Sequence, residues 1–568
     1  MNRKAFIFKY INFISQYYFL LIILLFFAVW FNGNYHKGHD TIIHMINIKA
    51  LFTTMSWNNP FGNRILPFIA NNYGYGSGIF YPPMANILPA LFYRFTSFFS
   101  DNVFVGIKMY YIFIAYIAVY GMYILVYKIM GNKNLSSLVS TIYLFSPYFS
   151  SDIFVRDAIG ETALFAVLPF IFLSFYELFV NNNRKKFIII FSLSYIIGMH
   201  FHLVLMVYIT FFVGLYLLFN IMKVFQKKNL LSFVIASLII LAVSSPMLVR
   251  LLEHKMNGNY VVFSGSGIGN INVLKTTSLK LVEFVFSPKK YRYNIDVFLN
   301  FSSIIMFISS VIFIKKIELS KFQKNLFYYS FVVILIIIFM ISEYMPWEII
   351  PKFLLNIQFS WRLLLPLNFL ISLNAIPILE LLKNSKIKMK VTIIIMIITI
   401  IMGMKNIHFY DNNLAKDKKL NWNYGIGWDN DYLPVSYLKN NNYVKNRGYN
   451  VLCNKQCNIT IVANNVPDMV FTYQNNEKIT VEIPRIYYHG YRIISPKGKT
   501  IKYIENKNGF ISFIIKEKGT YAVKYLGTNL EIIASIISKL TLFGGIIILI
   551  ISDIKYNKNV KHLYNKWN

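Results

Sequence analysis

The chain is poor in acid and in cysteine. Only 24 of its 568 residues are Asp or Glu, and charged residues of both signs together reach 14%. Soluble domains usually carry about 25%, so a large soluble multidomain protein is excluded. Two cysteines in this length supply neither a disulfide framework nor a zinc set. No Walker-type phosphate loop and no dinucleotide-binding glycine fingerprint occurs, and no repeat of solenoid period is present. What fills the chain is apolar: hydrophobic residues make up 56% and aromatics 18%. That balance belongs to a polytopic α-helical membrane protein.

Apolar runs near the length of a membrane helix fall at roughly 11–31, 103–127, 135–150, 162–180, 187–200, 203–222, 230–250, 296–314, 325–342, 363–382, 391–404 and 531–552, about twelve in all. The pair 187–200 and 203–222 reads as a tight helical hairpin. The first run follows a basic start (Arg3, Lys4, Lys9) with no small-residue cleavage site after it, so a retained helix is expected.

Net charge is +33, which raises the question of nucleic acid. Threading the helices with the N-terminus inside answers it. The inside segments then hold Lys128 and Lys133, Arg184 to Lys186, Lys223, Lys227 and Lys228, Lys315 to Lys324, Lys383 to Lys390, and Lys555 to Lys566. Every short inside loop is basic, as cytoplasmic loops are. The charge is topology and compositional bias, and no nucleic-acid partner is expected. Both termini are expected in the cytoplasm of a multi-pass cell-membrane protein.

The outside segments are then 32–102, 151–161, a turn at 201–202, 251–295, 343–362 and 405–530. The domains expected are a membrane unit over 1–404, an extracytoplasmic β-sandwich-like unit over 405–530, and a final helix with a basic tail over 531–568. The β assignment rests on alternation at Asn458-Ile-Thr-Ile-Val, Lys478-Ile-Thr-Val-Glu-Ile, Phe510-Ile-Ser-Phe-Ile-Ile and Thr520-Tyr-Ala-Val-Lys-Tyr, separated by turn signals. Cys453 and Cys457 lie in this unit, where an outside location permits a disulfide.

Chemistry gathers in three outer stretches. The first reads Gly38-His39-Asp40-Thr41-Ile42-Ile43-His44 and continues to Gly74-Tyr75-Gly76 and Phe80-Tyr81-Pro82-Pro83. Asp40 precedes a helical pattern. It reads either as an N-cap or as a base held at the membrane surface. His39, Asp40 and His44 are candidate ligands for a divalent metal ion, although their spacing is not a specific signature. Residues 84–99 read as an amphipathic helix at the outer interface. The second stretch holds Asp152, Arg156, Asp157 and Glu161. Asp157 and Glu161, four apart, are expected on one helix face, in a chain where acid is scarce. The third is Gln358-Phe359-Ser360-Trp361-Arg362, where an arginine at headgroup level either clamps a phosphate or anchors the interface beside a tryptophan.

The ordered set Gly38-His39-Asp40-Thr41 with His44, Gly74 to Pro83, Arg156 to Glu161, Gln358 to Arg362, Asp431-Tyr432-Leu433-Pro434 and Ile483 to Tyr491 resembles the GT-C glycosyltransferases. It also resembles the bacterial YfhO-like group and its relatives, the 6-pyruvoyl-tetrahydropterin-synthase-related membrane proteins. Ser360 stands where those relatives often have proline. The resemblance covers most of the chain. It implies a GT-C-like fold and transfer of a sugar from a polyprenyl-phosphate-linked donor to a cell-envelope glycan or polymer outside the membrane. It implies Asp40 as the general base. Asp157 or Glu161 would position the acceptor, a metal or charge near the sugar. Arg362 and Arg156 would hold the donor phosphate, with His44, Gln358 and Trp361 lining the site. Membrane lipids and a donor synthase are the further partners implied. Three other readings compete: a transporter or flippase of lipid-linked sugars, which needs polar groups near the bilayer midplane, a non-catalytic envelope-assembly scaffold, and a lipid-linked glycan polymerase or ligase of another family, for which the basic 251–295 loop is the candidate and its lack of an acidic pair the objection.

Overall fold

The computed structural model describes residues 18–32, 35–36, 38–264, 270–285, 295, 297–381, 386–409, 414–415, 430–545 and 547. The basic N-terminal start, the tail after 547, most of 410–429, and Lys289, Lys290 and Arg292 lie outside these residues. The structure is mostly helical, with a β-rich region towards the C-terminus.

Six described helices are long and apolar enough to cross a membrane: Val103–Met130, Ile159–Phe179, Arg184–Phe219, Lys227–Asn257, Lys321–Ile341 and Ser360–Leu381. Lys133–Leu144 and Pro147–Arg156, bent by 46°, count as a seventh if they form one span. Local chemistry sets the ends. The Asn102 side chain accepts from the Phe104 N–H at 2.9 Å, and Gly131 closes the same helix in the left-handed region at φ 67°. Asn132 then caps the next helix through the Leu135 N–H. Phe301–Phe313 is a 13-residue helix, shorter than a straight crossing requires.

Arg184–Phe219 is not straight. His202 adopts φ −154° and ψ 86°, and its Nδ1 accepts from the Leu205 N–H at 3.1 Å, so it caps a second arm. Phe187 and Tyr216 both pack on Phe175, with ring centroids 6.2 and 4.9 Å away. In a straight helix, 29 residues would separate them by roughly 43 Å. A Cβ on Gly198 would lie 2.5 Å from Met206 Sδ. The chain therefore folds back at His202 into two antiparallel arms.

The β-rich region contains two antiparallel sheets. Two short strands come first in the chain, β1 (Tyr35–His36) and β2 (Leu414–Ala415), which pair with each other. Then follow β3 (Leu452–Cys453), β4 (Ile459–Ala463), β5 (Met469–Tyr473), β6 (Ile479–Ile486), β7 (Tyr491–Ile494), β8 (Thr500–Ile501), β9 (Tyr503–Glu505), β10 (Phe510–Ile515) and β11 (Gly519–Tyr525). One sheet has the order β3-β6-β10-β9 and the other β4-β5-β11-β7-β8. Alternation puts Met469, Phe471, Tyr521 and Val523 of one sheet in the same buried cluster as Val481, Ile483, Phe513 and Ile515 of the other. Cys453 and Cys457 are joined as a disulfide.

That cluster does not stop at the expected domain boundary. Ile65, Ala70, Tyr73, Tyr75, Ile79 and Phe80 of the first outer stretch belong to it. Tyr488 OH accepts from the Gly76 N–H at 3.0 Å, the Ile486 N–H donates to Tyr73 O at 3.1 Å, and Phe80 stacks on Tyr432. Below the sheets, the Glu531 carboxylate pairs with Arg250 at 2.7 Å and with Arg64 at 2.6 Å. Arg250 also donates to Ile79 O. The β region and residues 64–81 are thus one packed body, tied to the end of Lys227–Asn257.

Candidate active site

The second outer stretch is a buried, irregular helix rather than a solvated loop. Pro147 starts a short turn of helix, and residues 152–156 continue it as one π-turn. Asp157 ends that turn in the left-handed region, at φ 57° and ψ 41°. For a residue with a Cβ this conformation costs roughly 1–2 kcal/mol. Such π-turns and strained residues concentrate where function constrains the chain. Ile159–Phe179 then begins, so Asp157 lies before the helix that carries Glu161.

This break corrects the expectation that Asp157 and Glu161 share a helix face. The two carboxylates sit in different surroundings. Asp157 Oδ1 accepts from Tyr35 OH at 2.9 Å and from Tyr111 OH at 2.6 Å. Burial pushes its carboxyl above the usual range, against the nearby His44 and the hydroxyls of Tyr111, Thr41 and Tyr35, which act to lower it. Its other oxygen, Oδ2, is buried.

Glu161 instead meets the arginines. Arg156 Nη1 lies 2.8 Å from Glu161 Oε2 and 2.6 Å from Asp152 Oδ1, and it donates to Tyr148 OH at 2.9 Å. Tyr148 OH in turn donates to Glu161 Oε1 at 2.5 Å. Arg362 comes from the turn Ser360–Leu363, and its Nε lies 3.2 Å from Glu161 Oε2. Its Nη1 donates to Ile357 O at 3.0 Å, and its guanidinium sits over the Phe359 ring. These Arg156 contacts all fall on Nη1, and its side chain is 5% exposed against 13% for Arg362. Arg362 is the more open cation, with Nη2 uncommitted among the described residues.

The first outer stretch crosses this cluster closely. The His39 N–H donates to Val155 O and the Asp40 N–H to Arg156 O, each at 2.9 Å. Only glycine fits at position 38, because a Cβ there would lie 2.8 Å from Val155 O and 2.9 Å from Asp157 Cβ. Asp40 precedes the helix Thr41–Thr54, but its side chain makes no capping bond. Among the described residues that carboxylate accepts no hydrogen bond, so capping does not occupy it. Gly160 allows the N-terminus of Ile159–Phe179 to approach the fold-back, where a Cβ would meet Phe201 O at 2.5 Å and Tyr81 OH at 3.0 Å. His202 lies within electrostatic reach of Arg362 and Glu161.

The structure therefore brings together Asp40, Arg156, Glu161, Arg362 and Asp152, and holds Asp157 against Tyr35 and Tyr111, with His44 within electrostatic reach of Asp157 and its ring 6.1 Å from that of Tyr81. Gln358 carries a left-handed φ of 70° in the turn before Arg362. Trp361 is buried and stacks on Phe359. His39 is exposed while His44 is buried. Among the described residues no group of three or more His, Cys, Asp or Glu side chains gathers to hold a metal ion. No step below passes through a metal.

Two participants were not legible beforehand. Tyr148 preceded the acidic stretch without any distinguishing pattern. Tyr81 was visible only as part of a Gly- and Pro-rich run, yet it lies within electrostatic reach of Asp40, Arg362, Glu161 and Arg156. Burial, and then the Asp40 charge, pushes its phenol up. No protein-family model matches this chain, and no curated protein matches it in sequence.

Proposed function

We propose that the chain is a membrane-embedded glycosyltransferase of GT-C type, similar to the YfhO-like group. In this reading it moves a sugar from a polyprenyl-phosphate-linked donor to an extracytoplasmic acceptor such as a cell-envelope polymer. The observation that carries the reading is a carboxylate, Asp40, that accepts no hydrogen bond among the described residues and lies within electrostatic reach of Arg156 and of Tyr81, which Arg362 and Glu161 also reach. An acid able to take a proton and a cation able to hold a phosphate are the two groups that transfer from a lipid phosphate requires.

In this reading Asp40 takes the proton of the acceptor hydroxyl. Arg362 binds the donor phosphate through its uncommitted amino group and stabilises the charge that grows there as the sugar leaves. Arg156 is a positioning residue: Asp152, Glu161 and Tyr148 fix it, and its backbone carbonyl fixes the Asp40 amide. Glu161 sets the orientation of both guanidiniums. The reading also extends the fold to about twelve spans with both termini cytoplasmic, and treats the two β sheets as an extracytoplasmic sandwich. The clusters lie at helix ends rather than at mid-span, which favours an enzyme over a transporter.

The test uses purified protein in lipid with a polyprenyl-phosphate-linked sugar, envelope polymer extract, and Asp40→Asn in parallel. Sugar should appear on the polymer with the wild type and fall at least a hundredfold with the variant. Equal transfer by both removes Asp40 as the base. No transfer by the folded wild type with any such donor removes the transferase reading.

A further inference from the structure

Four turns of the β region converge at the end farthest from the helices. They are 454–458, 474–478, 495–499 and 516–518. The Thr480 N–H donates to Asn454 Oδ1 at 2.9 Å, and the Gln474 N–H to Asn458 O at 3.0 Å. The Lys518 N–H donates to Asn476 Oδ1 at 2.8 Å, and Lys497 Nζ meets Glu517 at 2.8 Å. Strand β11 places this tip. It runs seven residues from Gly519, at the tip, to Tyr525, near the Glu531 junction. At about 3.3 Å per residue that is roughly 23 Å.

The tip is cationic. Lys455, Lys478, Lys497, Lys499, Lys516 and Lys518 lie on these turns and are exposed. Glu477 and Glu517 are the acids within these four turns, and Lys497 already pairs with Glu517. The remaining acids of 431–530, Asp431, Asp468, Glu482 and Glu505, sit away from the tip. The Glu482 carboxylate is held by Arg447 at 2.7 Å and Asp468 accepts from the Tyr525 N–H. A uniform lysine bias does not produce this segregation of sign. The same turns carry side-chain amides at Gln456, Gln474 and Asn475, which suit hydroxyl and phosphate oxygens.

We propose that this tip binds a linear anionic polymer, holding it about one strand length from the Glu531 junction. Lysines on separate turns fit a chain of repeating charge better than a single small anion. The polymer's role as acceptor rests on the transferase reading. Its binding does not.

The experiment uses the full chain in nanodiscs of neutral lipid. The probes are long-chain inorganic polyphosphate, polygalacturonate, neutral dextran, and vesicles of anionic lipid. A tip variant carries Lys→Gln at 497, 499, 516 and 518. A control variant carries Lys→Gln at 439, 445, 507 and 524, which lie off the tip. Binding of polyphosphate or polygalacturonate, but not dextran, is expected, and the stronger of the two names the anionic group. The tip variant should weaken it on the order of tenfold or more, with a shallower salt dependence, and the control by about threefold or less. Equal losses in both variants, or no binding by the wild type, overturn the proposal. So does tip-dependent capture of anionic vesicles without polymer binding. Polymer binding with no sugar transfer upholds the tip and removes the transferase reading.

Discussion

The Arg156–Glu161 contact offers the sharpest physical test. Two arginines (Arg156, Arg362) and two acids (Asp152, Glu161) form a buried set of zero net charge. Glu161→Gln keeps the shape and removes one negative charge, so a buried guanidinium loses its counter-charge. Breaking such a pair costs about 3–5 kcal/mol. Arg156→Met should cost a similar amount, because it strands an acid. The double variant removes one charge of each sign and leaves Asp152 balanced by Arg362. Its loss should fall short of the sum by about 2–3 kcal/mol. Titration with SDS from mild-detergent micelles, followed by tryptophan fluorescence, gives the four stabilities. Coupling below about 0.5 kcal/mol would refute the reasoning. It would mean that water enters the cluster and screens the pair as it does an exposed one.

Other consequences are equally direct. Burial raises the Asp157 carboxyl, so the folded chain holds a proton that the unfolded chain has released. Stability should therefore fall as pH rises from the ordinary Asp range through the raised folded value. Asp157→Asn should flatten that slope in thermal scans against pH, and an unchanged slope would assign it to another group. Gly160→Ala places a methyl against Phe201 O and should destabilise by about 1–3 kcal/mol in the same SDS titration. Glu531→Gln strands the buried Arg250, so amide hydrogen exchange should quicken in 64–81 and 486–491 while the sheet centre at β5 and β11 stays protected.

Much of the β region was legible because period-two alternation is local. Asn458-Ile-Thr-Ile-Val and Phe510 to Ile515 predict strands, and β4 and β10 lie there. The long apolar runs were legible for the same reason, and the pause between 200 and 203 marks a real fold-back at His202. The π-turn at 152–156 was not legible, because a single extra residue in a helix leaves no signature in composition. It carries Asp157 off the expected face. The Glu531 junction was also hidden. Arg64, Arg250 and Glu531 come from three distant parts of the chain, and no periodicity links them. Asp40, Arg156, Glu161 and Arg362 stood out because charge is rare here, but their mutual contacts depend on tertiary packing alone.

The shared core of residues 65–80 and the β strands sets a timetable for biogenesis. Gly76 and Tyr488, which bond to one another, are 412 residues apart. At ribosomal rates of about 5–20 residues per second, the first outer stretch waits roughly 20–80 s before its partners emerge. During that wait Tyr73, Tyr75 and Phe80 have no sheet to cover them. The stretch that leads into Tyr81 is therefore finished last, although it is made nearly first. A nascent or truncated chain then carries every charged residue of the cluster while the stretch beside Tyr81 is uncovered, so loss of the C-terminal quarter reaches the site through Tyr81.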